Sequence, residues 1–122
     1  MRFLGTIKSA EGMQPPAELM QAMGAFVQEA RAAGVVRDTG GLAPSADSVR
    51  VRVENGNAQY LDGPFAESKE VVGGYVIYDV SSKEEALEWT RRFVDLHLQH
   101  WPDFRFECEL RQMYSVEDAP RS

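Results

Sequence analysis

Hydrophobic and polar residues alternate near the start of the chain and then recur at helical spacing. The alternation over residues 2–8 predicts a first β-strand. From about residue 16 to residue 33 the apolar residues fall three or four positions apart, which predicts an amphipathic helix, and Gly34 suits the position after a helix end. The next segment, GVVRDTGGLAPS, predicts a short strand followed by a glycine-rich loop.

A β-hairpin is predicted in the middle of the chain. The sequence SVRVRVE alternates valine with charged residues, and Asn55-Gly56 after it is a favoured two-residue turn. The return strand is expected over residues 58–61. After Gly73-Gly74, the sequence YVIYDV is rich in β-branched and aromatic residues, which favours a further strand.

A second helix and a last strand are predicted at the end of the chain. The sequence SSKEE, beginning at Ser81, contains two overlapping capping boxes, and its acidic residues suit the positive start of a helix. The helix should end near His100, because Pro102 prevents much extension. Residues 104–113 then alternate strictly, with apolar side chains on one face and Arg or Glu on the other.

The order β-α-β, hairpin, β-α-β predicts an α+β fold in which two helices cover one face of an antiparallel sheet. The other face would carry Arg and Glu from the last strand together with apolar or aromatic residues, including either Tyr75 or Tyr78. A face this mixed suits neither solvent nor a dry core. We therefore expect a homodimer interface that encloses a partly polar cavity.

Composition and charge narrow the class of protein. The 122 residues (13.7 kDa) suit one domain, expected over residues 1–114, with a polar tail at 115–122. A net charge of -6, from 13 basic and 19 acidic residues, disfavours nucleic-acid binding. The sequence has neither a signal-peptide pattern nor an apolar stretch long enough for a membrane span, so a cytoplasmic location and no membrane partner are expected.

The chain lacks the usual sequence signals of cofactor sites. The glycine pairs do not have the spacing of dinucleotide or P-loop motifs, so no cofactor is expected. The single cysteine, Cys108, cannot form an intrachain disulfide, and its alternation with apolar neighbours predicts a buried, unreactive thiol.

One segment resembles a known family. Asp62-Gly63-Pro64-Phe65, continuing as AESKE and then GGY, resembles the DGPF-type proteins of the YCII-related family, and the sequences SKEEALEW and ECELRQM fit the same pattern. The resemblance implies a ferredoxin-like fold that dimerises as an α/β barrel. Some relatives act as lyases of dehydrochlorinase type, and some related domains occur alongside sigma factors. The YCII branch also places a histidine on its first helix, paired with an aspartate, whereas the first helix here contains no histidine.

The DGPF turn allows two interpretations. In the structural one, the Asp62 carboxylate accepts backbone hydrogen bonds, Gly63 supplies a conformation closed to other residues, Pro64 stiffens the segment and Phe65 anchors it in the core. In the functional one, Asp62 is a general acid or base, or a hydrogen-bond acceptor, at the mouth of the barrel.

Two histidines and four arginines are the other candidates. His97 and His100, three apart near a helix end, could carry protons in place of the missing histidine; as a metal pair they lack a third ligand, so no metal is expected. An anionic or aromatic ligand would be bound by arginines and a tyrosine pointing into the barrel. Alternatively, the arginines pair with glutamates along neighbouring strands. The ligand-binding candidates are Arg50, Arg52, Tyr75, Arg105 and Arg111.

Two classes of function therefore remain open. The first is a protein that binds a small molecule in the dimer cavity, with or without cofactor-free, lyase-like proton transfer. The second is a non-catalytic interaction or regulatory protein, for example a partner of sigma-factor-type transcription machinery. The sequence alone does not decide whether the protein is an enzyme.

Overall fold

The computed structural model describes residues 1–65 and 70–117, and these form six strands and two long helices. A short 3-10 turn, Ser45–Asp47, lies between the second and third strands. The elements in chain order are β1 Arg2–Ser9, α1 Ala17–Ala32, β2 Val36–Gly41, β3 Val49–Glu54, β4 Asn57–Asp62, β5 Val71–Asp79, α2 Lys83–His100 and β6 Phe106–Met113.

The main sheet has four strands in the order β2-β5-β1-β6, and every neighbouring pair is antiparallel. Leu4 at the centre of β1 lies opposite Ile77 on β5 and Arg111 on β6. The strands β3 and β4 form a separate two-stranded sheet. The predicted α+β, ferredoxin-like layout with an extra hairpin is confirmed, and in the single chain the main sheet stays open.

Both helices cover the same face of this sheet. Phe3 and Tyr78 are opposite one another in neighbouring strands and each is 3% exposed, so they mark the face that the helices bury. Because side chains alternate along a strand, Leu4 and Ile77 project from the helix-free face. The buried core cluster consists of Phe3, Ala30, Val35, Tyr78, Val80 and Ala86.

The helix ends follow the sequence signals. Gly34 has φ +77°, and the N–H of Val35 donates to the Ala30 carbonyl at 3.1 Å, which is the bonding of a Schellman cap. At the start of α2 the Ser82 hydroxyl accepts from the Glu85 N–H at 3.1 Å. The Glu85 carboxylate accepts from the Ser81 hydroxyl at 3.0 Å, so both serines use the same glutamate.

The predicted positions of the two glycine pairs were wrong. Gly40-Gly41 was expected in a loop but forms the end of β2, and Gly73-Gly74 was expected before β5 but lies inside it. Gly41 pairs opposite Gly74. Antiparallel pairing uses only backbone groups, so the ladder continues through residues whose propensity favours loops. The last strand begins at Phe106 rather than at residue 104.

The hairpin is as predicted but carries an exposed apolar face. Asn55 and Gly56 have φ of 52° and 79°, the positive values of a type I′ turn. On one side of the hairpin, Val51 and Tyr60 lie opposite each other and are 52% and 74% exposed.

Within the described residues, neither α1 nor α2 is long and apolar enough to cross a membrane.

Candidate functional site

Three segments are joined by hydrogen bonds: the loop after β1, the segment between β2 and β3, and the DGPF turn. The carboxylate of Glu11, in the loop after β1, accepts hydrogen bonds from both the N–H and the hydroxyl of Ser45 at 2.5 Å. The Gly63 N–H donates to the Ser48 carbonyl at 2.8 Å. The bonds from Ser45 hold the pKa of Glu11 below its ordinary value, so the carboxylate stays charged near neutral pH. These contacts fix the DGPF turn against the segment between β2 and β3.

Gly63 has a steric role in this junction. A Cβ added at position 63 would lie 1.6 Å from the Ser45 carbonyl oxygen, and Ser45 itself is 5% exposed. Asp62 ends β4 opposite Val49 and is exposed, and its carboxylate accepts no hydrogen bond from residues 1–65 or 70–117. The space taken by the Ser45 carbonyl oxygen therefore explains why position 63 is glycine.

A groove of about 520 Å³ lies beside this junction. Among the described residues, its charged side chains are Lys8, Arg50 and Glu70, and its apolar wall includes Phe65 and Val72. Lys8 and Val72 lie opposite each other at the ends of β1 and β5, on the helix-free face, so the groove extends that face toward the hairpin.

Arg50 and Phe65 form one wall of the groove. The Arg50 guanidinium lies 4.0 Å from the centre of the Phe65 ring, a cation–π distance. Phe65 is half-buried and does not belong to the core cluster, so its expected role as a core anchor was wrong. Pro64 before it is exposed, and residues 66–69 of the AESKE sequence lie outside the described residues. The two cations, one carboxylate and aromatic ring found among the described lining residues suit an anion with an apolar body.

The helix-free face carries a tyrosine–aspartate pair that the sequence did not reveal. Tyr75 projects from this face, and its hydroxyl donates to the Asp38 carboxylate at 2.8 Å. This hydrogen bond raises the pKa of Tyr75, so the phenol stays protonated. Asp38 and Tyr75 are brought together by the β2–β5 pairing, where Gly40 lies opposite Tyr75. Nothing in the local sequence around Asp38 marks it as a partner.

The remaining arginines lie away from the groove. Arg111 contacts the Glu109 carboxylate, with its Nε donating at 2.8 Å, and both side chains are exposed on β6. Such an exposed pair contributes little stability. Arg52 on β3 and Arg105 before β6 are also exposed. Of the four candidate arginines, Arg50 lines the groove, and Arg111 pairs with Glu109 within its own strand rather than across two strands.

The predicted histidines have different surroundings. His97 is 3% exposed, with its ring centre 4.5 Å from Phe93 and 4.8 Å from Phe106, and its Nδ1 donates to the Phe93 carbonyl at 3.0 Å. His100, the last residue of α2, is half-buried. Within the described ranges, no group of three or more His, Cys, Asp or Glu is placed to hold a metal ion.

The burial of His97 predicts a pH-dependent stability. Burial lowers its pKa below the ordinary 6.5, although the hydrogen bond to Phe93 partly opposes this. Between the lowered pKa and 6.5 the unfolded state binds more protons, so stability rises with pH and is lost as pH falls through this window. Urea unfolding from pH 7.5 to 4.5 should show wild type losing up to about 1.4 kcal/mol per pH unit relative to His97→Phe. Parallel pH profiles for the two proteins would contradict this account.

Comparison with known proteins places the chain in a family. The layout of β1-α1-β2 and β5-α2-β6 around one antiparallel sheet defines the structural class as ferredoxin-like α+β. The YCII-related domain matches residues 1–94, and the chain belongs to that family. The chain is also similar to an uncharacterised protein of Rhizobium meliloti (strain 1021), with 29% identity over 86 residues that cover 70% of this chain and 69% of that protein.

The family match ends inside α2, whereas the fold continues beyond it. Strand β6, at 106–113, pairs along its whole length with β1, so it is an integral part of the sheet. The sheet therefore continues past the segment that the family comparison matches.

Proposed function

We propose that the protein is a homodimer that binds a small organic anion with an aromatic or apolar body in the groove beside the DGPF turn. The observation that carries the proposal is the stacked pair of Arg50 and Phe65, which faces the same groove as Lys8. The guanidinium and the ammonium would bind a carboxylate or an enolate. Phe65 and the nearby valines would cover the apolar part of the ligand.

The apolar centre of the helix-free face supports the dimer in this proposal. Leu4 and Ile77 at the middle of the helix-free face are apolar and half-exposed in the single chain. A second copy packed on this face would bury both side chains and would also cover the end of the groove at Lys8 and Val72. The groove would then become a cavity between the two sheets, which is the arrangement that the family resemblance implies.

Cofactor-free proton transfer is an extension of this binding function. Glu70 lines the groove, and its carboxylate would act as the base while Arg50 and Lys8 stabilise the developing anion. Asp62 lies opposite Val49 on the valine side of the hairpin, away from Arg50, so Glu70 rather than Asp62 would be the base. His97 is enclosed by aromatic rings on the helix-covered side of the sheet, away from the groove, so it would take no part in this step.

The hairpin favours a second candidate, a non-catalytic interaction protein. Its Val49, Val53 and Tyr60 side chains are 59%, 70% and 74% exposed, and all project from one side. A contiguous exposed apolar face commonly marks a protein contact. In this alternative the hairpin would bind a protein partner and the groove would be a by-product of the junction between loops.

Titration of the isotope-labelled protein with benzoate, followed by NMR, tests the proposed function. We expect saturable shifts of the Lys8, Arg50 and Val72 amides and weaker binding of neutral benzamide. Arg50→Gln should weaken benzoate binding about tenfold, because it removes a charged hydrogen-bond donor worth roughly 1.5 kcal/mol. Arg52→Gln removes the same charge two residues away on β3, outside the groove, and should leave the affinity unchanged.

The same titration separates the alternatives. Equal weakening by Arg50→Gln and Arg52→Gln would mean that benzoate responds only to general charge, and the groove proposal would fail. Shifts confined to the valine side of the hairpin would favour the interaction protein instead. A saturable response in wild type that is lost in Arg50→Gln alone would support the site.

A further inference from the structure

Three glycines, which have no side chains, lie on the helix-covered face of the sheet. Gly41 lies opposite Gly74, Gly74 lies opposite Ile7, and Gly5 lies opposite Val76. Side-chain alternation from Phe3 places these positions on the face toward α1 and α2. The core cluster around Phe3 fills the other end of this layer, so the layer between sheet and helices is filled at one end and open at the glycine end.

A second cavity, of about 370 Å³, occupies this open end. It lies between the sheet and the helices, on the opposite side of the sheet from the helix-free face. The cavity is within the size range of small-molecule sites, roughly 300–1,000 Å³. Its main apolar side chains are Met23, Phe26 and Val27 from α1, Phe93 from α2, and Ile7 and Val76 from the sheet.

The polar groups of this cavity are uncharged near neutral pH. Burial raises the pKa of Tyr78, and it raises the pKa of the Cys108 thiol to about 11. The Thr90 hydroxyl donates to the Ala86 carbonyl at 2.9 Å. Glu109 also lies along the cavity, but alternation on β6 directs its side chain to the helix-free face, where it bonds Arg111.

We propose that this cavity binds an uncharged, largely apolar molecule with one or two rings. A charged ligand would lose its hydration here without gaining an opposite charge, and that loss is costly in an apolar site. A neutral ring system would instead gain contacts with Phe26, Phe93 and the methionine side chain of Met23. Met20 lines the cavity and is 54% exposed, and its flexible side chain can move to let such a molecule enter. This site is separate from the anion groove and does not depend on it.

Indole is a suitable probe because it is neutral and has two fused rings. We expect saturable binding, with intermolecular NOEs from indole to methyl groups of Ile7, Val27 and Val76 in the wild-type protein. Bound indole should also slow the reaction of Cys108 with N-ethylmaleimide at least fivefold, because this half-buried thiol lines the cavity. Benzoate at the same concentration should leave the Cys108 rate unchanged.

Larger side chains that fill the cavity should prevent indole from binding. Val27→Phe, from the helix side, and Ile7→Phe, from the sheet side, should each weaken indole binding at least tenfold. Val53→Phe makes the same chemical change as Val27→Phe at a hairpin position that is 70% exposed, and it should bind indole as wild type does.

The wild-type measurements decide the proposal even if a filled variant does not fold. Absence of saturable indole binding, NOEs from other residues only, or equal protection of Cys108 by benzoate would each overturn it. Indole binding that survives in folded Val27→Phe and Ile7→Phe would overturn it as well. NOEs to the cavity methyls, together with selective protection of Cys108, would establish the site.

Discussion

Replacing Gly63 by alanine should destabilise the protein by about 3 kcal/mol or more, the range of severe single substitutions. The new methyl carbon would lie 1.6 Å from the Ser45 carbonyl oxygen and 2.6 Å from its carbonyl carbon. Both are backbone atoms, and the Ser45 backbone N–H is itself bonded to Glu11. Relief of the overlap must therefore separate the DGPF turn from the 3-10 turn and break the hydrogen bond from Gly63 to Ser48.

Urea unfolding monitored by circular dichroism would measure this effect. Gly24→Ala is the matched control, because position 24 lies on the exposed side of α1 with no atom within 4 Å of the added Cβ. That change should stabilise the protein by about 0.5–1 kcal/mol through helix propensity. A Gly63→Ala protein as stable as wild type would show that the turn does not pack on Ser45.

Loss of Gly63 should also disturb the anion groove, since Ser45 and Phe65 both line it. If the variant stays folded in low urea, benzoate affinity should fall although Arg50 and Lys8 are intact. This result would link the family motif to ligand binding through position rather than through the chemistry of Asp62. Asp62→Asn, by contrast, should bind benzoate normally under the same reasoning, because its carboxylate does not line the groove.

Ile77→Glu should convert the proposed dimer into a monomer. Ile77 lies beside Leu4 at the centre of the helix-free face, and two-fold symmetry would place a glutamate from each copy in the interface. Burying these charges without partners should cost roughly 3 kcal/mol or more, which weakens association at least about a hundredfold. The change leaves the helix-covered core untouched, so each chain should still fold.

Light scattering after size-exclusion chromatography would report the mass of each species. Wild type should elute at twice the 13.7 kDa chain mass, and Ile77→Glu should elute at the chain mass. Val53→Glu introduces the same charge on the exposed side of the hairpin and should remain dimeric. A monomeric wild type at tens of micromolar would refute the dimer, whereas dissociation by Val53→Glu alone would move the interface to the hairpin.

The candidate site could be foreseen only in part. Alternation in SVRVRVE placed Arg50 among candidate ligands, and the structure puts it in the groove. Lys8 was missed, because its position opposite Val72 depends on a β-bulge in the pairing of two strands more than sixty residues apart. Asp38 was missed for the same kind of reason, since its bond to Tyr75 exists only once β2 and β5 are paired.

The sequence by itself determined the helices, their ends, the hairpin turn and the α+β class. These features depend on residues two to five positions apart, so spacing and capping residues are enough to specify them. Only the tertiary structure decided which tyrosine is buried, why Gly63 is a glycine, and where the two cavities lie. Those outcomes depend on contacts such as Glu11 with Ser45 and Ser45 with Gly63, which form when distant segments of the chain pack together, and no local pattern records them.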